Sequence, residues 1–98
     1  MNAPGGLAIT SNGNLIAVDR SARAAYTYKA PKFTKLIDTT NLKGTYSPGG
    51  IALSKNGKHV WVVDQGRNVV DEIAYPAGGA ASVILNGLYE PVGVAAVI

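Results

Sequence analysis

Short apolar runs, broken by Gly, Pro and Asn, recur along the whole 98-residue chain. Runs rich in β-branched and aromatic residues with such punctuation read as β-strands. They place strands at 6–10, 15–19, 24–29 and 33–38, then at 50–54, 59–64, 69–74 and 81–85, with a ninth at 93–98. Asn12-Gly13 and Asn56-Gly57 each stand between two apolar runs. Both residue types tolerate the positive φ that matches the twist of paired strands, so each dipeptide predicts a hairpin. No segment of about ten residues carries the 3.6-residue apolar period of a helix, and little or no helix is expected.

The strands belong to a repeat. Pro4-Gly5-Gly6-Leu7-Ala8-Ile9 returns as Pro48-Gly49-Gly50-Ile51-Ala52-Leu53 and as Pro91-Val92-Gly93-Val94-Ala95, at spacings of 44 and 43 residues. Leu15-Ile16-Ala17-Val18-Asp19 returns as Val60-Trp61-Val62-Val63-Asp64, with His59 a one-residue insertion in the second copy, and Ala30-Pro31 returns as Tyr75-Pro76. Four short strands at a fixed period of this length indicate an all-β propeller built from four-stranded antiparallel blades. We expect a single unit of two blades, at 4–47 and 48–90, with 91–98 supplying the first strand of a following blade.

Position in a blade accounts for the composition of each strand. The Gly-Gly-Leu-Ala-Ile strand is small, as needed where blades crowd about a central axis, and Gly6 and Gly50 are expected to be structural there. Val60 to Val63 is apolar on both faces and is expected to lie buried between blades, with Trp61 filling core space. Lys32-Phe33-Thr34-Lys35-Leu36-Ile37-Asp38 alternates and carries lysines, which suits an outer edge strand protected against pairing with other chains.

The phrase Pro-x-Gly-Ile/Leu-Ala, followed by Asn-Gly, a buried strand ending in Asp, a short turn and another strand, resembles the NHL-type repeat over nearly the whole chain. It is also similar to blades of gluconolactonase-like propellers. Where the family has Asp followed by Gly and one or two Asn, Asp64-Gln65-Gly66-Arg67-Asn68 follows the pattern and Asp19-Arg20-Ser21-Ala22-Arg23 departs from it, so no loop function is carried over.

Two blades bury one shared face and leave two open, and repeat units need neighbours. Apolar residues make up 47% of the chain and charged residues 15%, a low charge density for a domain of this size. We therefore expect closure of the ring, either as part of a longer protein or by assembly into a homo-oligomer, with a homotrimer of six blades leading. The strand at 93–98 would compete with residues 6–10 of a second copy for one position, and the apolar end at Ile98 suits a piece of a longer propeller. Residues 1–47 carry six bases against two acids, or +4, and residues 48–98 three bases against four acids, or −1, an asymmetry that would order such a ring.

The formal charge of +3 is too small for a dedicated nucleic-acid footprint. No cysteine is present, which removes disulfides and thiolate metal sites and leaves the compartment open. No apolar run approaches the length of a membrane span. The first residues lack the pattern of a secretory leader, which a secreted or periplasmic parent would have lost.

Asp19 and Asp64 end equivalent strands. The lactonase-like resemblance implies ligand or metal contacts for them, whereas an Asp before a tight turn also accepts backbone N–H bonds, and this structural role is favoured. Asn12, Gly13, Asn56 and Gly57 are assigned to the hairpin turns. His59, the single histidine, lacks partners for a zinc site, and neither a metal nor a cofactor is expected. No Gly-x-Ser-x-Gly nucleophile elbow occurs, so an enzyme is disfavoured.

Lys29, Lys32 and Lys35 flank Tyr28 and Phe33, a mix that suits single-stranded nucleic acid, as the RNA binding of some NHL-type propellers would imply, but their outer-edge position favours solvation. Tyr46 and Tyr89 precede the repeat's proline and are candidates for exposed contacts. Arg20, Arg23, Gln65, Arg67 and Asn68 fall in equivalent turns, and any binding surface, for a protein, peptide or glycan, is placed there. The function expected is a non-catalytic binding or scaffold module, with a lactonase-like enzyme fragment or an RNA-binding face as alternatives.

Overall fold

Chain reversal at the two Asn-Gly sites initiates two equivalent sheets in a computed structural model of the chain, which describes residues 4–54 and 56–85. Gly13 (φ 87°) and Gly57 (φ 72°) take the left-handed backbone conformation that glycine adopts without steric cost. Asn12 and Asn56 do not, and the expectation of positive φ at both residues of each pair is corrected here. Their side chains instead accept hydrogen bonds through Oδ1, from Thr10 Oγ1 at 2.5 Å and from Ser54 Oγ at 2.9 Å. The loops are accordingly longer than two residues. Thr10 N donates to Asn14 O and Ser54 N to His59 O, both at 2.9 Å, the second loop being the longer by one residue.

The first sheet contains β1 (Pro4–Ile9), β2 (Leu15–Asp19), β3 (Ala24–Tyr28) and β4 (Leu36–Asn41); the second contains β5 (Pro48–Leu53), β6 (His59–Asp64), β7 (Val69–Ala74) and β8 (Ser82–Leu85). Each is antiparallel in the order of the chain. Two such sheets with no helix among the described residues agree with the all-β blade pattern. The ninth strand expected at 93–98, and Tyr89, lie outside the described residues.

One strand is displaced. The fourth, expected at 33–38, runs instead from Leu36 to Asn41. Phe33 has a φ of 57°, which no extended strand accommodates, and residues 29–35 close on themselves through Lys29 N to Lys35 O and Phe33 N to Lys29 O, each 2.9 Å. Lys32 and Lys35 therefore sit in a loop and do not blunt the edge strand; that strand carries Asp38, Thr39 and Asn41 instead.

The core forms between the sheets. Register places Ile51, Val62 and Asp71 on one face of the second sheet, with Val60 and Ile73 beside them. These apolar residues pack with Ile16, Val18, Ala25 and Leu42 of the first sheet and its connection, all buried. The inner strands touch through glycine: a Cβ on Gly6 would lie 2.7 Å from Gly50 Cα and 2.8 Å from Ile51 N. Outward from this contact the sheets are joined by polar bonds, Thr27 Oγ1 to Tyr75 OH at 2.7 Å and Thr40 Oγ1 to Pro76 O at 2.8 Å. Gly79 N also donates to Asn41 O at 3.0 Å.

Trp61 corrects a second expectation. Alternation along β6 turns it away from the face that carries Val60 and Val62, and it is only half-buried. Its indole Nε1 donates to Glu72 Oε2, 3.0 Å away on the neighbouring strand. Within one chain it is thus a cross-strand partner of Glu72 on the far side of the sheet from the shared core.

Candidate functional site

The residues singled out in the equivalent turns come together at one end of the two sheets. The β2–β3 turn (20–23) and the β6–β7 turn (65–68) both bond to the 42–47 connection. Leu42 N donates to Arg23 O at 2.9 Å, Arg23 Nη1 to Thr45 O at 3.3 Å, and Gln65 N to Ser47 O at 3.0 Å. Arg67 Nη2 reaches Gly44 O at 3.2 Å. Arg23 and Asn68 end their turns with φ of 49° and 57°, a conformation more tolerable for Asn than for Arg.

Asp64 organises this end. Its fully buried carboxylate accepts from Tyr46 N (2.8 Å), Ser47 N (2.9 Å), Gly66 N (3.1 Å) and Arg67 Nε (2.8 Å). One side chain thereby holds both its own turn and the connection between the sheets. Asp19, at the equivalent position, accepts from Ser21 N (3.0 Å) and Ala22 N (3.3 Å). The turn-fixing role is what both carboxylates perform.

Arg67 continues the network into the core, with Nη2 2.8 Å from Asp71 Oδ2. Asp71 is fully buried, and its Oδ1 has no hydrogen-bond partner. The bond to Asp64 holds the Arg67 guanidinium above its ordinary pKa. Two of the arginines proposed as ligand contacts are therefore occupied: Arg67 bridges two carboxylates and Arg23 ties down the connection. Arg20, Lys43 and Tyr46 are exposed on this face, Tyr46 at 71% with its ring against Gly66, and the Arg67 side chain, though bonded, is 43% exposed.

The two carboxylates should titrate in a fixed order. Burial alone pushes Asp64 up, but the N–H groups of Tyr46 and Ser47 and the Arg67 guanidinium outweigh it and hold the group below 3.8. Burial dominates at Asp71, which lies above 3.8 despite its contact with Arg67. A raised carboxyl binds its proton more tightly when folded, so protonation of Asp71 adds stability as pH falls from neutrality. A lowered one contributes stability above 3.8 that is lost as pH falls through its folded value. Side-chain carboxyl ¹³C shifts followed by NMR should show Asp71 titrating before Asp64 on acidification, and the reverse order would contradict the network described.

Asp71 was not singled out from the sequence, where residues 69–74 read only as a strand. Its spacing of four from Arg67 was the available signal. Elsewhere, His59 is half-buried on β6, Lys29 and Lys32 are exposed, and Phe33 is 40% exposed. Among the described residues no three His, Cys, Asp or Glu side chains are grouped so as to hold a metal ion.

No family model and no curated protein matches the sequence. Solved structures do match in shape. The chain is similar to hydrazine synthase of Kuenenia stuttgartiensis, with a TM-score of 0.73 at 16% identity over 95% of this chain and 26% of that one. It is similar also to virginiamycin B lyase from Staphylococcus aureus, with a TM-score of 0.72 at 15% identity over 96% of this chain and 31% of that one. The chain thus spans about a third or less of either protein. With the two four-stranded sheets, these likenesses establish the fold as a partial β-propeller.

Proposed function

We propose that this chain is a non-catalytic propeller segment with NHL-type repeats, which completes a ring with copies of itself and presents its turn-bearing end as a binding scaffold. One observation carries the reading. Leu7 and Ile51 occupy the same position of the repeat, yet Ile51 is 4% exposed and Leu7 64%. Ile51 is covered because the first sheet lies on it. Leu7, with Ile9 at 57%, sits on the face of the first sheet that corresponds to it. An apolar surface built to the same plan as a buried one suits the same kind of partner, another blade.

The complementary surface is the face of the second sheet with Ala52, Trp61 and Glu72 in register. These correspond to Ala8, Ile16 and Thr27, which in the first sheet face the second. A head-to-tail arrangement repeats the observed contact and closes when the rotation does, three chains giving six blades. The basic first half and acidic second half favour that order. At the turn-bearing end, exposed Tyr46, Arg20 and Lys43 suit a protein or peptide partner with acidic groups.

Light scattering coupled to size exclusion tests the assembly. A discrete trimer is expected, which the pair Leu7→Lys and Ile9→Lys reduces to monomers or unfolds. A strictly monomeric, cooperatively melting wild-type chain would refute self-closure. A polyanion response abolished by salt would move the assignment to nucleic acid, and lactone turnover with a bound divalent ion would move it to an enzyme segment.

A further inference from the structure

At the end of the sheets opposite the turn cluster, a cleft of about 290 Å³ lies between the two blades. It is at the small end of ligand pockets, which begin at about 300 Å³. Its polar groups are sorted by type. Asn12 Oδ1 is occupied by Thr10 Oγ1, and Asn14 Oδ1 by Ala30 N at 2.9 Å, so both side chains are left with amide N–H donors to offer. The same lining includes Asp38, an acceptor, half-buried and with no ion pair among the described residues.

Thr27 and Tyr75 close the wall between the sheets with their 2.7 Å bond. Burial, together with the nearby Asp38 charge, pushes the Tyr75 hydroxyl's pKa up from its ordinary value. Leu53 and Ile37 complete the lining with apolar surface. Among the described residues the lining carries the Asp38 carboxylate and no Lys or Arg, so an anion there would meet a like charge.

From this arrangement we infer that the cleft binds a neutral polyhydroxyl ligand the size of one sugar ring. Neighbouring hydroxyls on such a ring can donate to Asp38 and accept from the Asn12 and Asn14 amides at once, while its C–H face lies on Leu53 and Ile37. A small cation would satisfy Asp38 alone and make no use of the amide donors. Both walls come from one chain, so the inference stands independently of ring closure and of the partner at the other end.

Saturation-transfer NMR on the full chain tests it, with D-glucose, D-galactose and myo-inositol as polyol probes and methylammonium as the charged control. Transfer to at least one polyol is expected. Asp38→Asn, which keeps shape and removes the charged acceptor, should weaken apparent affinity about tenfold, the order expected for one charge-assisted hydrogen bond. Ser82→Ala, exposed on β8 and outside the lining, should leave it unchanged. Thermal melts of both variants confirm folding. Absence of transfer to every polyol, transfer to methylammonium alone, or an Asp38→Asn variant that binds as well as wild type would each overturn the inference.

Discussion

Asp64→Ala is expected to destabilise the chain by about 3 to 5 kcal/mol, because three part-buried backbone donors lose a charged acceptor and each costs about 1 to 3 kcal/mol when left unmet. The substitution removes the acceptor for the N–H groups of Tyr46, Ser47 and Gly66 and one of the two carboxylates that face Arg67. Those donors are part-buried, and an unmet buried donor carries its own desolvation penalty. Because Tyr46 and Ser47 belong to the connection between sheets, the loss falls on the joint between the two blades as well as on one turn. For a chain of this size the change corresponds to a fall in melting temperature of about 12 °C or more. Arg20→Ala on the same face should change stability by less than about 0.5 kcal/mol. Urea unfolding with an unchanged m-value decides the matter, and a midpoint close to wild type for Asp64→Ala would show that the network contributes little.

Gly6→Ala should cost about 2 to 3 kcal/mol through overpacking. The added Cβ meets backbone on the facing strand, Gly50 Cα at 2.7 Å and Ile51 N at 2.8 Å, and backbone cannot rotate aside as a side chain does. Relief requires β1 to withdraw from β5, which loosens the inner contact of the two sheets. Gly49→Ala is the matched control. Its nearest neighbours would be 3.8 Å away, ordinary van der Waals contact, so it should be near neutral. Equal destabilisation by the two substitutions would contradict the close approach at the axis.

These two positions also show how unevenly the sequence could be read. Gly6 and Gly50 were placed at a crowded axis because the Pro-Gly-Gly phrase recurs at a 44-residue spacing, and they do meet there. Asp64 was expected to fix its own turn, and it does so through Gly66 N, but its bonds to Tyr46 and Ser47 span 18 and 17 residues and could not be foreseen from local pattern. Arg67 and Arg23 were expected to face a ligand. Both instead serve internal acceptors, because long side chains beside buried carboxylates and loop carbonyls reach inward before they reach out.

The displaced β4 has a comparable cause. Alternation of Lys and apolar residues at 32–38 imitates a half-exposed strand, but the positive φ at Phe33 ends that option and pairing with β3 begins only at Leu36. Trp61 likewise sits in an apolar run whose two faces look alike in sequence.

By itself the sequence determined the number of strands in each sheet, their order, the turn glycines and the equivalence of the two halves, since hairpin signals and a fixed repeat are local and periodic properties. Only the tertiary structure decided which face of each sheet is covered, where the buried Asp71 and the Asp38 cleft lie, and which charged side chains are occupied. Those outcomes depend on contacts between residues far apart in the chain, where one face of a strand is distinguished from the other by what packs against it.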